Sequence, residues 1–212
     1  MTRGRATLLT SGLAYLAVFV ALGAFVSHGR PGAFDRSGMV FFDQARPLAI
    51  FATESGLFPI YSGLSIAALV IGIARRAFLG RAVFLAAMLF ATWKIGDVAK
   101  LAFHRVRPAH WLWVFERSPS YASGHAALAV AGYGMLAAYV WRSPLPRRER
   151  AVLAGALLLW IVTIDWSRMA LGAHYPTDLI GGTLLGLGLI QLGRAIWDPL
   201  RVPQRARVRR GR

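Results

Sequence analysis

The chain has 212 residues, of which 56% are hydrophobic and only 16% charged, with a formal net charge of +16 at pH 7 and no cysteine. Its apolar residues fall in long runs, which is typical of membrane proteins and excludes an ordinary soluble domain. The lack of cysteine excludes a disulfide framework and a thiolate metal site. Most of the excess arginine lies in short loops and a terminal tail, which favours membrane topology and anionic lipid headgroups over nucleic acid.

Six apolar segments are predicted to cross the bilayer, which takes about 20 helical residues per crossing. The predicted spans cover residues 7–27, 56–74, 82–100, 123–141, 151–166 and 176–194. Several of them carry charge near one end, as expected of helices that contribute to a polar site. The predicted fold class is therefore all-α, with one polytopic bundle over residues 1–198 and a basic tail, residues 199–212, that we expect to be disordered.

The arginine distribution predicts how this bundle is oriented. Cytoplasmic loops are enriched in Lys and Arg. The basic clusters of this chain lie at residues 3–5, 75–81, 142–150 and 194–212, all on one side of the six spans. Both termini are therefore predicted to be cytoplasmic, and residues 29–54, 104–122 and 167–174 to lie on the outer side. The start of the chain also resembles a secretory signal, but its apolar run is longer than usual, so we expect the first helix to be retained.

Three polar clusters interrupt the apolar sequence, and all of them fall on the predicted outer side. The first contains Lys100, Arg107 and Pro108. Because Pro108 biases Arg107 away from helical geometry, both cations are predicted to face one pocket. Taken alone, the cluster is better explained by a snorkelling lysine and a solvated loop arginine.

The second cluster, Ser123-Gly124-His125, lies where an outer loop leads into the fourth predicted span. Ser123 is a typical N-cap residue, Gly124 allows close approach to the backbone, and the first N–H groups of a helix bind anions. His125 follows in the first turn, where it can act as a general acid or base. A simple capping turn beside an interfacial histidine is the alternative for this tripeptide.

The third cluster contains Ser167, Arg168, His174 and Asp178. The i, i+4 spacing of His174 and Asp178 lets the carboxylate hold one imidazole nitrogen while the other attacks an electrophile. A structural His–Asp hydrogen bond at a helix start is the alternative, but a second histidine and three cations on the same side weaken it. Together the clusters supply the groups needed for phosphoryl transfer.

These clusters resemble the three motifs of the type-2 phosphatidic-acid phosphatases, a family of membrane lipid phosphatases with soluble haloperoxidase relatives. The family motifs are Lys-x6-Arg-Pro, Pro-Ser-Gly-His and Ser-Arg-x5-His-x3-Asp, and this chain matches their spacing from Lys100 to Asp178. Ala122 replaces the proline of the second motif, which removes no reacting group. The membrane-spanning composition favours the lipid phosphatase branch over the soluble haloperoxidases.

The resemblance implies a role for each residue of the site. His174 would be the nucleophile that forms a phosphohistidine, Asp178 would orient it, and His125 would protonate the leaving oxygen and then activate water. The phosphoryl oxygens would be bound by Lys100, Arg107, Arg168 and the N–H groups of Ser123 and Gly124. No metal and no cofactor is implied, because fixed donors of this kind stabilise the phosphoryl charge.

The expected function is hydrolysis of a lipid phosphomonoester or diphosphate, such as phosphatidic acid, phosphatidylglycerophosphate, polyprenyl diphosphate or lipid A phosphate. We expect the enzyme in a bacterial inner membrane, with its active site on the periplasmic or extracellular face and no obligate protein partner. Two alternatives stay open. A lipid phosphotransferase would carry the same residues, and a phospholipid transporter or flippase would bind phosphate without chemistry, although the histidines argue against it.

Overall fold

The structure is a computed structural model that describes residues 3–38, 45–109, 112–114 and 116–198. These residues form helices and loops and contain no β-strand, so the all-α prediction is confirmed for them. The longer helices are α1 (Arg3–Ser27), α4 (Phe58–Ala74), α5 (Leu79–Phe103), α8 (Arg147–Ala170) and α9 (Pro176–Ile196). The shorter ones are α2 (Ala33–Ser37), α3 (Arg46–Ser55), α6 (Gly124–Ala129) and α7 (Met135–Trp141). The predicted tail, residues 199–212, lies outside the described residues.

The described part of the chain holds four helices that are long and apolar enough to span a membrane, namely α1, α5 with the 3₁₀ turn before it, α8 and α9. Helices α3 and α4 pass the same test as a pair bent by 47°, which makes up to five. The predicted fourth span is divided into α6, a π-helical turn at Val130–Gly134, and α7. Gly132 in this turn lies against the Tyr61 ring, where a Cβ would be 2.5 Å from a ring carbon.

Helix α9 contacts α1, α5 and α6, while α3 and α7 lie against α8 and α4 lies against α5. Glycines allow the closest of these contacts. A Cβ at Gly12 of α1 would be 2.8 Å from a methyl carbon of Leu192, and a Cβ at Gly188 of α9 would be 2.8 Å from one of Leu16. Small residues let helix backbones approach in membranes, where van der Waals packing holds helices together.

The start of α6 packs directly on the start of α9, and this contact joins the second and third polar clusters. A Cβ at Gly182 would lie 2.4 Å from the carbonyl oxygen of Ser123 and 2.8 Å from Cβ of Ala126, so no larger residue fits there. One turn earlier, the Ser123 N–H donates a hydrogen bond of 3.0 Å to the carbonyl oxygen of Asp178. The backbones of α6 and α9 therefore place the two clusters side by side.

We expect Gly182→Ala to lower the thermal unfolding midpoint in detergent, because the added methyl group must push the Ser123 backbone away from α9. Overpacking of this kind typically costs about 1–3 kcal/mol. Gly155→Ala on α8 is the matched control, since it is an exposed helical glycine at which a Cβ meets no atom within 4 Å. Equal midpoints for the two variants would contradict the close α6–α9 contact.

Candidate active site

The three polar clusters meet around one cavity of about 450 Å³ between α3, α4, α5, α6 and α8. Four of the predicted site residues line this cavity: Lys100, Gly124, His125 and Arg168. The same cavity is lined by the apolar side chains of Leu57, Phe58, Trp93 and Leu128. It therefore combines cationic groups with an apolar surface, a pairing that suits an amphiphilic ligand.

His174 is completely buried in the turn between α8 and α9. Its Nε2 lies 3.0 Å from Nη1 of Arg107, and because a guanidinium only donates, Nε2 is the unprotonated nitrogen. Its Nδ1 faces Oδ2 of Asp178 at 3.4 Å. Burial and the nearby charges of Arg107 and Arg168 lower the pKa of His174 well below 6.5. The ring is therefore neutral, with its hydrogen on Nδ1 toward Asp178.

Asp178 has more partners than the motif implies. Its Oδ2 accepts a hydrogen bond of 2.9 Å from the N–H of Tyr175 and a second one from the hydroxyl of Ser120. Its Oδ1 is ion-paired with Nη1 of Arg105, whose Nη2 lies 2.6 Å from Oδ2 of Asp35. The carboxylate that faces the histidine is therefore held at both oxygens.

Glu116 lies between two of the predicted phosphate-binding arginines. Its Oε2 is 2.6 Å from Nη2 of Arg107, and its Oε1 is ion-paired with Nη2 of Arg168. Burial raises the pKa of Glu116, but the charges of Arg168 and Arg107 outweigh this effect and hold that pKa at about 2. The two guanidinium groups therefore already hold one anion, the carboxylate of Glu116.

The three cations are fixed by further contacts with neighbouring elements. Lys100 Nζ donates to the Ser118 hydroxyl at 3.2 Å, and Arg107 Nε donates to the Ser118 carbonyl oxygen at 2.7 Å. Arg168 Nη1 donates to the hydroxyl of Thr53 on α3 at 2.7 Å. Arg168 Nε is buried and has no hydrogen-bond partner within the described ranges. The cations of the first and third clusters thus converge, with one donor of Arg168 still available.

The second cluster differs in part from the prediction. Ser123 caps α6 as predicted, since its side chain accepts a hydrogen bond of 3.4 Å from the Ala126 N–H. Its own N–H is not directed at a ligand, contrary to the prediction, because the carbonyl oxygen of Asp178 accepts it. Gly124 lines the cavity, and a Cβ there would meet no atom within 4 Å. Nε2 of His125 is buried and finds no hydrogen-bond partner among the residues described.

Several polar residues at the site were not predicted, among them Asp35, Thr53, Arg105, Glu116, Ser118 and Ser120. Glu116 and Ser120 lie in the loop between α5 and α6, close in sequence to two of the motifs, and this position could have indicated them. Arg105 lies two positions before the motif arginine, Arg107, and no motif position marks it. Asp35 on α2 and Thr53 on α3 are distant in sequence from the motifs and belong to none of them.

A family model of the PAP2 superfamily matches residues 79–200, which include all three clusters. The chain belongs to this superfamily. The resemblance identified from the motifs is thereby confirmed, and the geometry above is that of a PAP2 protein. In the matched region the three motifs lie on α5 and the loop after it, the start of α6, and the end of α8 with the start of α9.

Two curated relatives align with the PAP2 region. Phosphatidylglycerophosphatase B of Escherichia coli strain K12 is 32% identical over 95 residues, which is 43% of this chain and 35% of the relative. Phosphatidylglycerophosphatase B of Bacillus subtilis strain 168 is 33% identical over 102 residues, which is 46% of this chain and 49% of the relative. The chain thus aligns with a third to a half of the length of these relatives.

The fold is similar to that of a solved structure. The crystal structure of a transmembrane PAP2 type phosphatidylglycerolphosphate phosphatase from Bacillus subtilis superposes with a TM-score of 0.76 at 21% sequence identity. The superposition covers 88% of this chain and 95% of the other. The likeness extends well beyond the motifs, so the helices around the PAP2 site share one arrangement in the two proteins.

Proposed function

We propose that this PAP2 protein is a metal-independent lipid phosphatase that acts through a phosphohistidine on His174. The orientation of the His174 ring carries the proposal, because Nε2 is unprotonated and faces Arg107 at 3.0 Å while Nδ1 faces Asp178 at 3.4 Å. A phosphate bound by Arg107 would place its phosphorus beside the nitrogen that has a lone pair. That is the arrangement required for nucleophilic attack.

The reaction begins when a substrate phosphate replaces the carboxylate of Glu116 between the two guanidinium groups. Nε2 of His174 attacks phosphorus as the bond to the leaving oxygen breaks, and His125 gives that oxygen a proton. The ring then carries a positive charge, which the carboxylate of Asp178 stabilises through Nδ1–H. Water, deprotonated by His125, attacks the phosphohistidine, releases phosphate and restores the neutral ring.

The lining of the cavity supports a lipid as the substrate. Leu57, Phe58, Trp93 and Leu128 present apolar surface in the cavity that holds the cations, so a phosphate and the start of an acyl or prenyl chain fit together. The two aligned relatives are phosphatidylglycerophosphatases, which favours phosphatidylglycerophosphate as the substrate. Phosphatidic acid, polyprenyl diphosphate and lipid A phosphate remain candidates, because the cations recognise only the phosphate.

We also infer six spans, cytoplasmic termini and an active site on the outer face of a bacterial inner membrane. The π-helical turn joins α6 to α7 without a break in the helical path from Gly124 to Trp141, which supplies a sixth crossing.

This topology can be tested with single introduced cysteines, because the chain has no cysteine of its own that could react. An impermeant maleimide should label Arg30→Cys in intact cells and Arg148→Cys only after permeabilisation; the reverse pattern would refute this topology.

The function is tested by phosphate release from the detergent-purified protein in the presence of EDTA. The substrates are phosphatidic acid, phosphatidylglycerophosphate, farnesyl diphosphate and lipid A, with p-nitrophenyl phosphate as the matched water-soluble phosphomonoester. We expect release from at least one lipid and much less from the soluble ester. If folded protein released no phosphate from any of these lipids, the proposal would be overturned in favour of a transporter. Transfer of the phosphoryl group to an added lipid would indicate a phosphotransferase.

Glu116→Gln is expected to lower the KM for the lipid phosphate about 10-fold, because the resident carboxylate competes with the substrate for Arg107 and Arg168. The pKa of about 2 means that Glu116 stays ionised at any pH well above that value. The ratio of the wild-type KM to the variant KM should therefore be constant from about pH 5 to pH 8.

The matched comparison for this change is Glu54→Gln. Glu54 lines the same cavity, but its carboxylate accepts a hydrogen bond of 3.4 Å from Trp113 Nε1. We expect Glu54→Gln to lower the KM, relative to wild type, much less than Glu116→Gln does. Equal effects of the two substitutions would indicate a general charge effect, and a higher KM for Glu116→Gln would contradict the competition.

A further inference from the structure

Arg105 is a buried cation on the far side of the catalytic histidine from the phosphate site. Arg107, two positions later, contacts Nε2 of His174, whereas Arg105 contacts Asp178, the residue that faces Nδ1. We propose that Arg105 is a positioning residue, which keeps Asp178 ionised and aimed at Nδ1, and that Asp35 holds Arg105 in place. The inference rests on the proposed nucleophilic role of His174.

The contacts of Arg105 leave its guanidinium little freedom. The residue is only 4% exposed. Its Nη1 is ion-paired with Oδ1 of Asp178 and donates to the hydroxyl of Thr177 at 2.7 Å, while its Nη2 lies 2.6 Å from Oδ2 of Asp35. The ring of Tyr175 covers one face, with its centroid 4.6 Å from the guanidinium carbon. These partners come from α2, α9 and the turn before α9.

The ion pair with Arg105 also determines which oxygen of Asp178 faces His174. Because Arg105 occupies Oδ1, the other oxygen, Oδ2, is left for Ser120, the N–H of Tyr175 and Nδ1 of His174. With both oxygens held, the carboxylate cannot rotate away. The hydrogen of the neutral ring therefore stays on Nδ1, and the lone pair stays on Nε2.

The charge of Arg105 is needed because Asp178 is completely buried. A buried carboxylate without a cationic partner takes up a proton. A protonated Asp178 would donate to Nδ1 and place the ring hydrogen on Nε2, the nitrogen that must attack. Loss of the Arg105 charge should therefore affect the chemistry of the ring rather than phosphate binding.

Asp35 completes a balanced group of charges. It is 3% exposed, and its Oδ1 accepts hydrogen bonds from the N–H and the hydroxyl of Thr177 at 3.1 Å and 2.8 Å. It therefore links α2 to the first turn of α9 as well as to Arg105. Together, Asp35, Arg105 and Asp178 carry one positive and two negative charges. The one net negative charge matches the positive charge that the ring gains as a phosphohistidine.

The test compares wild type with Arg105→Met, Asp35→Asn and the double variant, using phosphatidic acid as the substrate. We expect Arg105→Met to lower kcat about 10²-fold or more at little cost in KM, and to move the acidic limb of the kcat profile to higher pH. Asp35→Asn should lower kcat less than Arg105→Met does, because Arg105 still neutralises Asp178 but loses the ion pair that holds it in place. The double variant removes the unpaired Asp35 charge but should not recover kcat.

A purely structural role for Arg105 predicts a different pattern. If Arg105→Met acted only by leaving the buried Asp35 carboxylate uncompensated, the double variant would recover kcat, and this result would overturn the proposal. So would an unchanged kcat in Arg105→Met, or a loss confined to KM. Thermal unfolding in detergent identifies any variant that has simply failed to fold.

A second readout does not depend on turnover. In protein labelled with ¹⁵N-histidine, the His174 signal, assigned by its loss in His174→Gln, should report a protonated Nδ1 and an unprotonated Nε2 in wild type and Asp35→Asn. In Arg105→Met and the double variant we expect mixed tautomers. An unchanged tautomer would overturn the positioning role. An inactive wild type with the expected tautomer shift would refute the lipid phosphatase proposal while upholding the inference about Arg105.

Discussion

His174→Ala is expected to abolish phosphate release, with a loss in kcat on the order of 10⁴-fold or more. The reason is the ring geometry: the lone pair on Nε2 of His174 faces Arg107, while Nδ1 faces the carboxylate of Asp178. Without it there is no phosphoenzyme, and the remaining donors can only bind phosphate. The measurement is the steady-state kcat with a lipid phosphate, together with rapid acid-free quenching after ³²P-labelled substrate is added.

His104→Ala is the matched control for this prediction, because His104 lies at the end of α5, close in sequence to the site, but is exposed. It should form the labelled phosphoenzyme at the wild-type rate. His125→Ala separates the two histidine roles, since it should form and hydrolyse phosphohistidine slowly, whereas His174→Ala should form none. Covalent label in folded His174→Ala, or normal turnover by that variant, would contradict His174 as the nucleophile.

Arg168→Ala is expected to lower kcat/KM by about 10²-fold or more, the usual cost of losing one donor to a developing charge. Arg168 is buried, and its guanidinium is directed by Thr53 at Nη1 and Glu116 at Nη2 while Nε has no partner in the part of the chain described. Arg168→Lys should recover only part of the activity. Lysine keeps the charge but loses the fixed fork of donors.

The control for Arg168 is Arg148→Lys, the same conservative change at an exposed position near the other end of α8. Its kcat/KM should equal that of wild type. The two substitutions on one helix then separate phosphate recognition from a general effect of guanidinium loss. Folded Arg168→Ala protein with wild-type kcat/KM would exclude Arg168 from the phosphate site.

Much of the chemistry was predictable from the sequence because it depends on short spacings. His174 and Asp178 are four positions apart, so their pairing was predictable from the spacing, although His174 lies in the turn before α9 and not on the helix. Ser123 was likewise predictable as the cap of α6, since capping is a local interaction. The family motifs then indicated phosphoryl transfer, and the PAP2 match agrees with them.

Other features could not be predicted, because they depend on residues far apart in the chain. Arg105 meets Asp35 across 70 positions, and Arg168 meets Thr53 across 115. Neither partner lies in a motif. The sequence also did not indicate that Glu116 would bridge two arginines, since loop residues gain their partners only when the loop folds over the helices.

The sequence by itself determined the membrane class, the helical architecture and the residues able to transfer a phosphoryl group, because hydropathy and short spacings are local properties. Only the tertiary structure decided which nitrogen of His174 faces Arg107, and that the N–H of Ser123 donates to the carbonyl oxygen of Asp178. The contact between Ser123 and Asp178 depends on how closely α6 and α9 approach at Gly182. Helix approach is set by packing between distant segments, which no local pattern encodes.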